Sequence, residues 1–170
     1  MLVKELRIPK VSNGTAAKIL LIEDNEGDAV LTQEALLESK VHVSLHTVRD
    51  GVEALEFLRR DGQHGEAVRA DLILLDLNMP RMDGREFLEV VKQDAELSSI
   101  PVVVLTTPEA ETDILKTYQL QASYFITKPV DSDQFQHIVR QISEFWFTIV
   151  RLPETVWRYQ TFVGPVASRP

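Results

Sequence analysis

Five short apolar runs alternate with stretches of helix-forming residues, and this alternation constrains the fold more than any other feature of the chain. The first run is Lys18-Ile19-Leu20-Leu21-Ile22, and residues 28–39 follow it with good helix formers. Val41, Val43 and Leu45 then alternate with His42, Ser44 and His46, the period of a half-buried strand. In residues 51–60, Val52, Leu55 and Leu58 recur at helical spacing. Leu72-Ile73-Leu74-Leu75 is a third strand, and residues 84–93 place Phe87, Leu88 and Val91 on one helical face. Pro101-Val102-Val103-Val104-Leu105 is a fourth strand, residues 109–120 read as a helix, and residues 123–127 as a fifth strand. Asp131 starts the last helix, with Gln134 three residues on as in a capping box. Continuous apolar strands are covered on both faces. The expected fold is therefore α/β, a doubly wound five-stranded parallel sheet between helices. Ligands of such sheets bind beyond the carboxyl ends of the strands, so chemistry is expected where each strand stops.

Composition narrows the class. A length of 170 residues suits one domain. The 18 basic and 26 acidic side chains leave a net charge of −8, which disfavours non-specific nucleic-acid binding and docking on anionic membrane. There is no cysteine, which excludes disulfides, thiolate metal sites and cysteine nucleophiles. No apolar run approaches the roughly 18 residues of a membrane span, and residues 1–10 lack the pattern of a secretory signal. A soluble, cytoplasmic protein is expected. Residues 1–17 carry Pro9 and Ser12-Asn13-Gly14 and read as a tail.

The strand ends meet the expectation. The first strand ends in Glu23-Asp24, the third in Asp76, the fourth in Thr106-Thr107 and the fifth in Lys128-Pro129. Carboxylates brought close together repel and need compensation. Mg²⁺ supplies it, preferring six oxygens and keeping several waters. Two carboxylates and the backbone carbonyl of Asn78, two residues past Asp76, suit that habit. A carboxylate also attacks phosphorus to give an acyl phosphate. Lys128 could then pair with the phosphoryl oxygens and the Thr106 hydroxyl donate to one of them. Taken singly, each residue has a plainer reading: Asp76 a turn residue, Glu23-Asp24 helix-start charge, Thr106 a cap, Lys128 a surface charge.

Together these residues resemble the receiver domain of bacterial response regulators. The acidic pair Glu23-Asp24 ends the first strand, and Asp76 stands in Leu-Leu-Asp-Leu-Asn-Met-Pro-Arg-Met-Asp-Gly. Thr106 stands in Val-Leu-Thr-Thr, 30 residues past Asp76, and Lys128 in Thr-Lys-Pro, 22 residues past Thr106. The resemblance covers about residues 18–145. It implies a flavodoxin-like sheet in the order 2-1-3-4-5 and a phosphoryl group passed to Asp76 from a histidine kinase. It also implies Mg²⁺ held by Asp24, Asp76 and the Asn78 carbonyl, with Glu23 near or acting through water. Lys128 would bridge to the phosphate, its peptide bond to Pro129 would be cis, and Thr106 and Phe125 would form the switch pair. The surface so controlled would be the one made by the helix over 109–120, the fifth strand and the last helix.

Further segments are similar to the small response regulators that partner cyanobacterial phytochromes. They are Val-Val-Val-Leu-Thr-Thr from Val102, Asp-Gly-Arg-Glu from Asp83, Glu-Phe-Trp from Glu144, and the lengthened loop over 61–70. That resemblance implies a phytochrome-type kinase as partner, no attached output domain, and a homodimer. The last helix is expected to run as an extended helix to about residue 150, with Phe145, Trp146, Ile149 and Val150 as a dimer contact, because exposed aromatics there would be costly on a monomer. The competing reading folds residues 152–163 back over the same stripe. Residues 146–170 form a C-terminal extension, a dimer contact or in part a segment of foreign origin. Its stretch after Pro153 holds Trp157, Tyr159 and Phe162 and has no assigned role.

The expected function is thus a phospho-switched signalling module and not an enzyme in the ordinary sense. The alternative is an interaction module that keeps the fold without phosphorylation. A phosphohydrolase is disfavoured because Asn78 stands where such enzymes place a second Asp. A nucleotide-binding fold is disfavoured because no glycine-rich loop follows the first strand. His42, His46, His64 and His137 lack ligand spacing and are expected on the surface or on strands.

Overall fold

The computed structural model describes residues 16–107, 119 and 121–149. Its elements are β1 (Ala17–Ile22), α1 (Glu26–Leu37), β2 (Val43–Val48), α2 (Gly51–Arg59), β3 (Leu72–Asp76), α3 (Gly84–Gln93), β4 (Val102–Thr106), β5 (Tyr124–Thr127) and α4 (Ser132–Glu144). A 3-10 turn (Gly62–His64) lies in the long loop before β3, and a π-helical turn (Phe145–Ile149) follows α4. The helix expected over 109–120 lies outside the described residues, as do residues 1–15, Val150 and the stretch after it.

The five strands form one sheet in the order β2-β1-β3-β4-β5, and every pair is parallel. Side-chain alternation divides it into two cores. Leu20, Ile22, Ile73, Leu75, Val102 and Val104 face Phe57 of α2 and Phe87, Leu88 and Val91 of α3. Ile19, Leu21, Leu72, Leu74, Val103 and Leu105 face Ala35 and Leu36 of α1 and Phe135 and Val139 of α4. This explains the unbroken apolar runs: both parities of each central strand are buried, each large side chain contributing about 1.5–3 kcal/mol. β2 lies at the edge, and there Ser44 is exposed while Val43 and Val48 are buried.

Acidic and amide caps start the helices at the strand ends. Asn25, Asp50 and Asp131 accept from backbone N–H groups at the starts of α1, α2 and α4, while Asp83 and Glu86 make a full capping box on α3. The caps place four helix N-termini around one rim of the sheet. Among the described residues no helix is long and apolar enough to cross a membrane.

Two expectations change. His64 is buried in its 3-10 turn, within a cluster in which His46 stacks on Phe57 at 4.2 Å and His64 meets Phe57 edge-on at 5.5 Å. These aromatic contacts dock the long loop on β2 and α2. Trp146, expected at the surface, is buried. It continues the stripe of Phe135, Val139 and Ile142 at steps of three and four, so it faces the sheet as they do. Phe147 packs on the same core, while Phe145 stays 38% exposed and touches Tyr124 and Trp146 edge-on.

Candidate functional site

Parallel strands that end on one level bring their following residues together. Glu23 and Asp24 follow β1, Asp76 is the last residue of β3, Thr106 the last of β4, and Lys128 the first beyond β5. Backbone bonds fix two of these ends: the Glu23 N–H donates to the Val48 carbonyl and the Lys128 N–H to the Thr106 carbonyl. Glu23, Asp76, Thr106 and Lys128 are buried, whereas Asp24 is exposed. Carboxylate oxygens of Glu23, Asp24 and Asp76 all lie within 4.8 Å of one another.

Lys128 spans the cluster. Its Nζ donates to Glu23 Oε2 at 2.6 Å and to Asp28 Oδ2 at 2.9 Å. It lies 3.5 Å from Asp76 Oδ1, an ion-pair distance too long for a strong hydrogen bond. Asp76 Oδ1 accepts no hydrogen bond although it is buried, and neither does the buried Thr106 Oγ1 find a partner. Buried polar atoms are ordinarily satisfied. Two exceptions at adjacent strand ends, beside three carboxylates and one amine, leave a carboxylate acceptor and a hydroxyl side by side at this rim.

The electrostatics agree. Burial pushes the Glu23 carboxyl up to about 7, with Lys128 opposing and the Asp76 charge adding to the rise. Asp76 is raised for the same reason, burial first, with Lys128 opposing and Asp24 adding. Burial works to lower the Lys128 ammonium, yet the Glu23 and Asp76 charges hold it well above its ordinary value. One amine leaves these acids incompletely compensated. The donor set fits a hard divalent cation, which binds carboxylate oxygens and would supply the missing charge.

The loop that carries Asp76 is held by close packing. A Cβ on Gly84 would sit 2.4 Å from the Asp76 carbonyl oxygen and 2.8 Å from Leu77 Cα. The Gly84 N–H donates to the Leu77 carbonyl at 3.0 Å. Arg81, at φ 63°, donates through Nε to buried Asp50 Oδ2 at 2.6 Å, tying the β3–α3 loop to the start of α2. Asn78 lies in this loop and is exposed.

The structure therefore gathers Glu23, Asp24, Asp76, Thr106 and Lys128 at one rim. Phe125 is half-buried on the α2–α3 side of the sheet, opposite Val104 in register, which puts it on the face that Thr106 shares by alternation. The Lys128–Pro129 bond is trans, not cis as expected, since no described peptide bond is cis. Trans is the form an X–Pro bond prefers intrinsically. Asp28 was not foreseen as part of the cluster. Its signal was its place in the first turn of α1, a helix whose start the strand order brings to this rim.

A family model described as the response regulator receiver domain matches residues 19–140. The chain is 42% identical to response regulator Rcp1 of Synechocystis sp. over 135 residues, which is 79% of this chain and 92% of that protein. Among solved structures it is similar to the phosphorylated cyanobacterial phytochrome response regulator RcpA, at 48% identity and a TM-score of 0.78, covering 82% of this chain and 99% of the other. It is also similar to the Mn²⁺-bound form of Rcp1, at 42% identity and a TM-score of 0.76, covering 81% and 99%.

Proposed function

This chain belongs to the response regulator receiver family, and on that premise we propose that it is a phosphoacceptor switch in which Asp76 takes a phosphoryl group from a sensor histidine kinase. The observation that carries the reading is the buried Asp76 Oδ1, free of hydrogen bonds, beside Lys128 and the Glu23–Asp24 pair. A carboxylate so placed is available as a nucleophile. Its oxygen forms the new bond to phosphorus while the bond from phosphorus to the donor imidazole breaks. The imidazole leaves with the electron pair and takes up a proton.

Asp24, Asp76 and the Asn78 carbonyl, with Glu23 near or through water, would hold Mg²⁺, whose charge would offset that of the phosphoryl group. Lys128 pairs with a phosphoryl oxygen, and the Thr106 hydroxyl, unpartnered until then, donates to another. Moving Thr106 frees space on the face it shares with Phe125, whose ring turns inward. The change biases the surface around β5 and α4 between two states.

The likeness to phytochrome response regulators supports a phytochrome-type kinase as the donor. Exposed Phe145, backed by Trp146, supports a homodimer surface at the end of α4, to which the sequence adds Ile149 and Val150 as candidate contacts. The net charge of −8 supports protein partners in the cytoplasm over nucleic acid or membrane. The receiver then acts without classical enzymatic turnover, at most promoting its own phosphorylation and dephosphorylation.

Intact-mass measurement after incubation with acetyl phosphate and Mg²⁺ tests the assignment. Wild type is expected to gain one phosphoryl group and Asp76→Asn none. Equal labelling of the two would remove Asp76 from the role.

A further inference from the structure

Lys128 is shared by three carboxylates, and the third of them stands outside the acidic cluster. Asp28 Oδ2 accepts from Nζ at 2.9 Å, nearly as close as Glu23 Oε2 at 2.6 Å and closer than Asp76 Oδ1 at 3.5 Å. Asp28 is absent from the group of carboxylates that could share a metal ion. It comes from α1, where Asn25 Oδ1 accepts from the Asp28 N–H at 3.0 Å and fixes its backbone. Its side chain is 36% exposed and borders a cleft of about 270 Å³ with Thr107, Lys128, Pro129 and Phe135.

An ammonium has three protons to donate. A cation among Glu23, Asp24 and Asp76 would draw on the charge of the two carboxylates that flank Lys128 there, but not on Asp28. Asp28 would then remain the one carboxylate competing with an incoming phosphoryl oxygen for the amine. We propose that Asp28 is a positioning residue that tethers Lys128 away from the acyl-phosphate position and so slows phosphorylation of Asp76. This rests on the assignment of Asp76 as acceptor. Removing the Asp28 charge frees the amine to meet charge that develops on the phosphoryl oxygens.

The test is the rate of labelling by acetyl phosphate with Mg²⁺ over a range of donor concentrations, for wild type, Asp28→Asn, Lys128→Gln and the double variant. Asp28→Asn is expected to raise the rate at saturating donor by about three- to tenfold, the span of one charge-assisted hydrogen bond partly open to water. The donor concentration at half-maximal rate should change less than about twofold, by the same reasoning that the effect lies in the transition state. Asp28→Glu, which restores the charge, should return the rate towards wild type. In the Lys128→Gln background Asp28→Asn should do nothing. An effect that persists there, or one confined to the half-saturating concentration, would show that Asp28 acts by general charge and not through Lys128.

Two further readouts keep the outcome decisive. Asp28→Asn should shift the ¹⁵N resonance of the Lys128 ammonium, even if Lys128→Gln labels too slowly to measure; an unchanged resonance overturns the tether. Mg²⁺ affinity by calorimetry should stay within about twofold, since Asp28 is no ligand. A large loss would place it at the metal instead. Wild type that takes no label at all would sink the acceptor assignment. Wild type that labels at the same rate as Asp28→Asn would sink only the tether.

Discussion

Lys128 Nζ and Glu23 Oε2 are 2.6 Å apart although 105 residues separate them in the chain. The contact follows from topology. β1 lies two strands from β4 and three from β5 in the sheet, yet all run parallel, so the segments leaving them share one rim. Neither residue has a local reason to be buried. Each is positioned by the other and by the strand that delivers it; without Glu23, Lys128 keeps Asp28 at 2.9 Å and Asp76 at 3.5 Å, whereas without Lys128 the buried acids lose the cation they share.

That burial sets a pH dependence. Glu23 carries a pKa of about 7 in the folded chain against 4.5 as a free side chain. Between those values the folded state holds a proton that the unfolded state has lost. Glu23 therefore contributes nothing below about 4.5 and destabilises progressively as pH rises through 7. Asp76, also raised, acts in the same direction. Lys128 is raised above 10.5, so its stabilising share is whole throughout this window and is lost only at still higher pH. Urea denaturation without metal should show the stability difference between Glu23→Gln and wild type growing in favour of the variant from pH 4.5 to 7.5. Mg²⁺ should stabilise wild type more at pH 8 than at pH 5, because binding releases the protons. A flat difference across the window would remove Glu23 as the titrating group.

Gly84 offers a second test, in which two glycines are compared. Alanine at Gly84 would drive its Cβ to 2.4 Å from the Asp76 carbonyl oxygen and 2.8 Å from Leu77 Cα, both backbone atoms that cannot rotate away. At Gly51 the nearest atoms belong to the Met82 side chain, at 2.7 and 2.9 Å, and these can move. Gly84→Ala is therefore expected to cost about 2–3 kcal/mol and to slow Asp76 labelling, with Gly51→Ala costing roughly 1 kcal/mol or less. Denaturation midpoints and the labelling rate measure both. Equal costs would mean that the Asp76 loop yields as easily as a methionine side chain.

Much of this is legible in the sequence. Unbroken runs such as Leu72 to Leu75 announce strands buried on both faces, and a parallel sheet then dictates that Glu23, Asp24, Asp76, Thr106 and Lys128 meet. Side-chain reach was not legible. That Lys128 extends to Asp28 depends on where the first turn of α1 sits over the rim, and spacing along the chain does not give it. Nor was the fate of His64 legible, since a polar residue in a long loop gives no sign that Phe57 and His46 will cover it. Trp146 was misread for a different reason. Helical spacing along the chain does not show how far the sheet extends beneath the last turn, and Tyr124 at the sheet edge gives Trp146 something to pack on.

The end of α4 thus separates two adjacent aromatics by role. Trp146 is 9% exposed and lies among Ile142, Val139 and the β4 side chains, while Phe145 is 38% exposed and meets Tyr124, itself 49% exposed, at a centroid distance of 6.1 Å. Trp146→Ala should cost about 3–5 kcal/mol through the cavity it leaves. Phe145→Ala, removing a ring that is already part-solvated, should cost about 1 kcal/mol or less, in line with a surface change. If the exposed ring serves association, its loss should also shift the chain towards monomer in light scattering at a concentration where wild type is dimeric. Trp146→Ala could weaken association as well, but only together with a lowered denaturation midpoint. The pattern that would contradict this division is a stability loss at Phe145 as large as that at Trp146, because it would place both rings in the core and leave the proposed surface without its anchor.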